Sequence, residues 1–147
     1  MESRLTADPV LVSEYGCGGL PDFDAALLQF AGDDHLADAQ YVRELRDNLE
    51  RGLSERGLTE EIGEVSALVR QTQRLQAEGV LAQTAALRRN PNISGVVITQ
   101  LADAGWEQMA GLTSLWRTPR PALAALGEAL QARWLHIEAD DPCSDGS

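Results

Sequence analysis

Glu14 stands at the end of a short apolar run, Pro9-Val-Leu-Val-Ser13, and leads into the glycine-rich segment Tyr15-Gly-Cys-Gly-Gly-Leu-Pro21. A carboxylate at a strand end can attack an electrophilic carbon or hold a proton, and glycines beside it let backbone approach a ligand closely. Spacing alone favours a plainer role, capping a neighbouring amide or pairing with an arginine. Ser13 has neither a Gly-x-Ser-x-Gly elbow nor a histidine partner, which argues against serine hydrolase chemistry. Asp33-Asp34-His35 puts metal-ligating types side by side, but adjacent ligands in a loop read as a polar turn. His136 lies far along the chain, so no metal and no cofactor are expected. Cys17 and Cys143 make neither a disulfide framework nor a zinc motif and read as free thiols. Asn92-Ile-Ser94 has the form of a glycosylation sequon, meaningful only in a secreted eukaryotic protein.

The hydrophobic pattern supplies the elements that must position these groups. Pro9–Ser13 reads as a strand buried on both faces, the kind found in parallel sheets. Asp22 is placed to cap a short helix through Phe30, stopped by Gly32. Tyr41, Val42, Leu45, Leu49 and Leu53 form one stripe of a second helix, ended by Gly57. Thr59 starts the longest helical pattern, running to about Arg89, with Ile62, Val65, Leu68, Val69, Thr72 and Leu75 on its inner face. Asn90-Pro91 stops it, and Gly79 weakens or bends it by up to ~1 kcal/mol. A second strand is predicted over Gly95–Gln100, then a loop through Leu101 to Glu107. Pro119 and Pro121 frame the entry to a last helix, with Leu123, Leu126, Leu130 and Trp134 on one face. Strand, helices, strand, helix implies parallel pairing through a right-handed crossover. Two strands do not make a stable parallel sheet covered on both faces. The chain therefore pairs with strands elsewhere or rests mainly on its helices.

At 147 residues, 44% hydrophobic and 24% charged, the chain has the make-up of one ordinary globular domain. A net charge of −11 argues against nucleic acid, whose phosphates need clustered cations. No apolar run approaches the roughly 18 residues that span a bilayer. The N-terminus lacks the basic start and apolar stretch of a secretory signal, so a soluble, cytoplasmic, non-membrane protein is the expectation unless a signal lies further upstream. Glu138, Asp140, Asp141 and Asp145 fall in an acidic tail over 138–147, expected to be frayed and solvated.

Ser13-Glu14-Tyr15-Gly16-Cys-Gly-Gly-Leu-Pro21 resembles the nucleophile segment of the family 2 glycoside hydrolases, the group of β-galactosidases and β-glucuronidases. There a glutamate followed by an aromatic residue and a glycine ends the seventh strand of a (β/α)₈ barrel. Asn90-Pro-Asn-Ile-Ser-Gly-Val-Val-Ile-Thr-Gln-Leu-Ala-Asp-Ala-Gly-Trp-Glu107 resembles that family's last barrel strand, which closes with an acidic residue and a tryptophan. Gly111-Leu112 and Trp116-Arg-Thr-Pro-Arg-Pro121 match the stretch before the final helix. The likeness covers both ends and covers residues 22–60 poorly, and Cys17 stands where an aromatic residue is common.

This resemblance implies an α/β fold, predominantly helical by content: a partial (β/α)₈ barrel, its last two strand–helix units over residues 1–137. The stretch of about 22–60 would be an enlarged loop or helical insertion. It also implies retaining hydrolysis of β-glycosides, with a carbohydrate substrate and Glu14 as nucleophile. Trp106 would stack its indole face on a sugar ring or plug the top of the fold. Asp103 and Glu107, flanking it, would accept sugar hydroxyls or stand as solvated loop charges. Tyr15 would orient Glu14 through its hydroxyl or pack in the core. Retaining enzymes need a second carboxyl about 5 Å away. In the family that glutamate follows an asparagine on the fourth strand, and no barrel strand lies upstream of Pro9. Negligible turnover by this chain alone is therefore expected, with a missing N-terminal barrel half or self-association completing the sheet. The alternative is a non-catalytic helical protein for binding or assembly.

Overall fold

The computed structural model describes residues 8–133 and 135. Trp134, His136, Cys143 and the acidic tail over 138–147 lie outside the described residues. In chain order the elements are β1 (Val10–Tyr15), α1 (Phe23–Gln29), α2 (Ala37–Glu55), α3 (Thr59–Ile62), α4 (Val65–Arg89), β2 (Ile93–Ile98) and α5 (Pro121–Ala129). Asp22 caps α1 by accepting the Ala25 N–H at 3.0 Å, which satisfies one of the donors that a helix start leaves orphaned. Gly57 follows α2 at φ +66 and Gly63 breaks the helical pattern at φ +86. The long helix predicted from Thr59 is therefore two helices, because left-handed backbone at Gly63 cannot continue an α-helix.

β1 and β2 pair in parallel, Leu11 opposite Gly95, Val12 opposite Val96 and Tyr15 opposite Ile98, with register shifts between Val10 and Leu11 and between Val12 and Tyr15. Among the described residues they are the whole of the sheet. This corrects the expectation of a partial (β/α)₈ barrel: the chain is a small α/β domain with one open pair of strands. Closing a barrel takes about eight tilted strands with a fixed stagger, and here the described residues outside the one strand pair go mainly into helices and loops instead. Nor are the strands buried on both faces, since Leu11 is 65% and Val97 50% exposed.

The core is built by helices. Phe23, Ala26, Phe30, Ala39, Val42 and Val69 form one buried cluster joining α1, α2 and α4, with Trp116 set edge-on to Phe30 at 4.9 Å. Val80, Leu112 and Ala122 form a second, joining α4 and α5, with Ile98 and Cys17 packed against it. Each large apolar side chain buried this way contributes about 1.5–3 kcal/mol. α4 runs through both clusters, and its inner face carries Val69, Gln76, Val80, Thr84 and Ala85. Leu75, expected inside, is 60% exposed. Leu130, expected on the inner face of the last helix, is also exposed. Among the described residues no helix is long and apolar enough to cross a membrane.

Gly79 lies where Cys17 meets α4: a Cβ there would sit 2.9 Å from the Cys17 Sγ and 3.0 Å from its Cβ. Close approach, rather than bending, accounts for this glycine. Gly79→Ala is therefore expected to lower stability by about 1–3 kcal/mol in urea denaturation, despite the better helix propensity of alanine. Gly127→Ala in α5, where no atom lies within 4 Å, is expected to raise it by up to about 1 kcal/mol.

Candidate functional site

The segments that follow β1 and β2 are held together at one end of the sheet by buried polar groups. Asp103 and Arg120 form an ion pair with side chains 2% and 4% exposed. The Arg120 guanidinium also donates to the Gly111 carbonyl at 3.1 Å, the Gln108 carbonyl at 3.0 Å and the Gly19 carbonyl at 3.4 Å. Asp103 accepts the Gly111 N–H at 2.9 Å. Burial pushes the Asp103 carboxyl above the usual carboxylate range, against the pull of Arg120 and the Gly111 amide. The same desolvation lowers Arg120. A side chain at Gly111 would collide with the Asp103 and Thr113 backbone, so only glycine fits.

α4 reaches into this network with three polar side chains. Gln76 donates to the Gly111 carbonyl at 3.1 Å, Thr72 accepts the Leu20 N–H at 3.1 Å, and Gln73 donates to the Leu20 carbonyl at 3.0 Å. The two segments also bond each other directly, Gly19 N–H to the Met109 carbonyl at 2.8 Å. The Thr99–Gln100 peptide is cis.

Glu14 is exposed near the end of β1. It lines a hollow of about 290 Å³ with Tyr15, Gly16, Cys17, Gly18, Thr99 and Ala110. Its carboxylate makes no hydrogen bond or ion pair among the described residues. A Cβ at Gly16 would stand 2.5 Å from the Thr99 carbonyl oxygen, so glycine permits the two strand ends to meet. None of the other lining residues carries a carboxyl.

The remaining candidates are placed differently. Tyr15 turns its hydroxyl to Thr84 Oγ1 at 3.0 Å. Thr84 gives its own proton to the Val80 carbonyl at 2.7 Å, so Tyr15 donates and fastens β1 to α4 instead of orienting Glu14. Asp103 is neither a sugar acceptor nor a solvated charge, because both its oxygens are engaged inside the protein. Glu107 is exposed, and its carbonyl accepts from the Gln100 side chain at 3.2 Å. Trp106 is 57% exposed and meets Tyr41 at 4.6 Å, nearly perpendicular. Neither Trp106 nor Glu107 lines the Glu14 hollow. Asp34 pairs with Arg43 at 2.5 Å, and no group of three His, Cys, Asp or Glu among the described residues could hold a metal ion. In comparisons with known proteins, the chain matches no family model, no curated protein and no solved structure.

Arg120 and Gln76 were not singled out in the sequence as functional or core residues; Gly111 figured there only in the family likeness and Tyr41 only in the α2 stripe. Gln76 had a signal: it lies four residues from both Thr72 and Val80, on one helix face. Arg120 had only its setting between Pro119 and Pro121.

Arg120→Met leaves the Asp103 carboxylate buried without its partner and is expected to lower stability by about 3–5 kcal/mol. The double variant Asp103→Leu with Arg120→Met is expected to lose less than the sum of the single losses, a coupling measured by denaturant midpoints across the four proteins.

Proposed function

We propose that this chain carries the nucleophile of a retaining β-glycoside hydrolase site, like that of the family 2 glycoside hydrolases it resembles, and that it is inactive alone. One observation carries this reading: Glu14 presents an unpaired, exposed carboxylate beside the joined ends of two parallel strands, in a hollow walled by glycine backbone. In the reaction, the Glu14 carboxylate attacks the anomeric carbon as the bond to the leaving oxygen breaks. A second carboxyl protonates that oxygen and then takes a proton from the water that hydrolyses the glycosyl-enzyme ester. The hollow offers no such carboxyl, so the acid/base is supplied by residues that come to the site when the sheet is extended. A neutral saccharide suits a chain of net charge −11, which repels polyanions. A cytoplasmic setting fits this reading.

A second reading, a module for assembly, is favoured by the unpaired outer edges of both strands and by exposed Leu11 and Val97. Free edges of this kind are templates for pairing with another chain. Sedimentation that shows association rising with salt, as the repulsion between acidic copies is screened, supports it. A strictly monomeric chain at all salt concentrations sinks it.

The nucleophilic half of the reaction can be read without the acid. A dinitrophenolate leaves unprotonated, so 2,4-dinitrophenyl 2-deoxy-2-fluoro-β-glycosides of glucose and galactose are expected to label Glu14 slowly. The label, read by peptide mass, is expected to vanish in Glu14→Gln. Ordinary nitrophenyl β-glycosides are expected to show no turnover. A folded chain that stays unlabelled rules out Glu14 as nucleophile, and turnover of ordinary glycosides rules out the need for a further carboxyl.

A further inference from the structure

A cavity of about 130 Å³ also reaches the Asp103–Arg120 pair, and it shares no lining residue with the Glu14 hollow. It lies between the start of α1 and the segment that leads into α5. Pro21 and Ala26 line one wall, and Leu115, Trp116 and Pro119 the other. The second wall is fixed in place. The Ser114 N–H donates to the Thr118 carbonyl at 2.9 Å, the Thr118 N–H donates to Ser114 Oγ at 3.1 Å, and Phe30 holds Trp116 edge-on from the core. Asp103, Gln108 and Arg120, 2%, 3% and 5% exposed, form the floor. Protein interiors seldom leave a void of this size, and one floored by charged and amide groups is no apolar packing defect. The floor keeps one acceptor and one donor unused. Gln108 donates to the Gly105 carbonyl at 2.9 Å, while its Oε1 accepts nothing among the described residues. Arg120 directs its two terminal nitrogens at Asp103 and three carbonyls, and its Nε–H donates to nothing among the described residues. Neither atom is sealed in protein, since among the described residues Gln76 Oε1 alone is buried with no partner. Both residues line the cavity, so the cavity is where these two atoms meet solvent.

We propose that this cavity binds a small neutral amide or ureide, about one ring in size. Its N–H donates to Gln108 Oε1, its carbonyl accepts from the Arg120 Nε–H, and its apolar body lies against Trp116. Neutrality follows from the floor, where Asp103 and Arg120 already balance each other. A charged group brought beside them loses water and gains no counter-charge of its own. Asp22, at the mouth, is exposed and occupied in capping α1, and the net charge of −11 repels anions. A molecule with acceptors alone leaves Gln108 Oε1 desolvated and unpaired, which costs about as much as a lost hydrogen bond. Arg120 also holds the Gly19 and Gly111 carbonyls, so a bound amide stabilises the junction of the two strand ends by mass action. The site stands apart from the glycosidase reading and needs no chemistry at Glu14.

Titration of the ¹⁵N-labelled chain with 2-pyrrolidone reads the site directly. Saturable shifts are expected in the Trp116 indole N–H, the Gln108 side-chain amide and the backbone amides from Ser114 to Thr118. Cyclopentanone, the same ring without the N–H, is expected to bind at least about 5-fold more weakly. Cyclopentylammonium and cyclopentanecarboxylate are expected to give no saturable shift in these residues. Gln108→Met, similar in length but without the acceptor, is expected to weaken 2-pyrrolidone binding about 5- to 10-fold. Ala25→Leu fills the mouth of the cavity from an exposed position and is expected to abolish binding with the fold unchanged. That variant covers the case in which Gln108→Met does not fold. No saturable shift with 2-pyrrolidone overturns the proposal. Equal affinity for cyclopentanone or tighter binding of either ion also overturns it. So do shifts that survive Ala25→Leu, because the ligand then lies elsewhere.

Discussion

The buried ion pair of Asp103 and Arg120 fixes the end of the molecule where the candidate chemistry lies. Removing two charges from water costs several kcal/mol each, and one ion pair seldom offsets that. Here Arg120 gains three carbonyl acceptors, Gly19, Gly111 and Gln108, and Asp103 gains the Gly111 amide. The carbonyls come from the segments after both strands. The same guanidinium that compensates the carboxylate therefore sets the distance between the two strand ends. Without it, the Glu14 hollow and the Trp106 turn would lose their common base.

That arrangement answers a problem posed by the sheet. A lone pair of parallel strands has little intrinsic stability, and its outer edges and part of its faces stay wet. The structure compensates from below with α4, which carries core residues of both hydrophobic clusters. Thr72, Gln73, Gln76 and Thr84 then bond the strand ends and their loops. These side chains do what flanking strands do in a larger sheet, holding register and loop position. Arg88 adds a bond from α4 to the Ala129 carbonyl at the end of α5.

This substitution explains what was legible in the sequence. The Asp22 cap, the α2 stripe and both strands could be read, because each depends on residues close together in the chain. On α4 the predicted Val65, Val69 and Thr72 do face inward, but Leu75 is exposed and the inner face continues through Gln76 and Thr84, which a hydrophobicity pattern assigns to solvent. Gly63 was passed over as one glycine in a long helical run, although its left-handed backbone ends the pattern. Asp103 looked like a loop carboxylate because its partner lies 17 residues further on, and no local pattern marks such a pairing. The barrel failed for a related reason: an apolar run shows that a strand wants neighbours, not how many this chain provides. Of the site, Glu14 and Trp106 are exposed, as a ligand-facing role requires, whereas Tyr41 was legible only as part of the α2 stripe and its contact with Trp106 only through the fold.

The same constraint limits how Glu14 can act. Its carboxylate tolerates having no partner because it is exposed, where water solvates the charge. Any strand or chain that covers the hollow removes that water and leaves the charge to be compensated by protein groups. A covering partner must therefore bring hydrogen-bond donors or positive charge to Glu14 as well as the acid. The described cations do not fill that role, for Arg120 is committed to Asp103 and no arginine lines the hollow. On the proposed reading, a partner that completes the site therefore presents a polar surface at the mouth of the hollow, and apolar cover only lower down, against Leu11 and Val97.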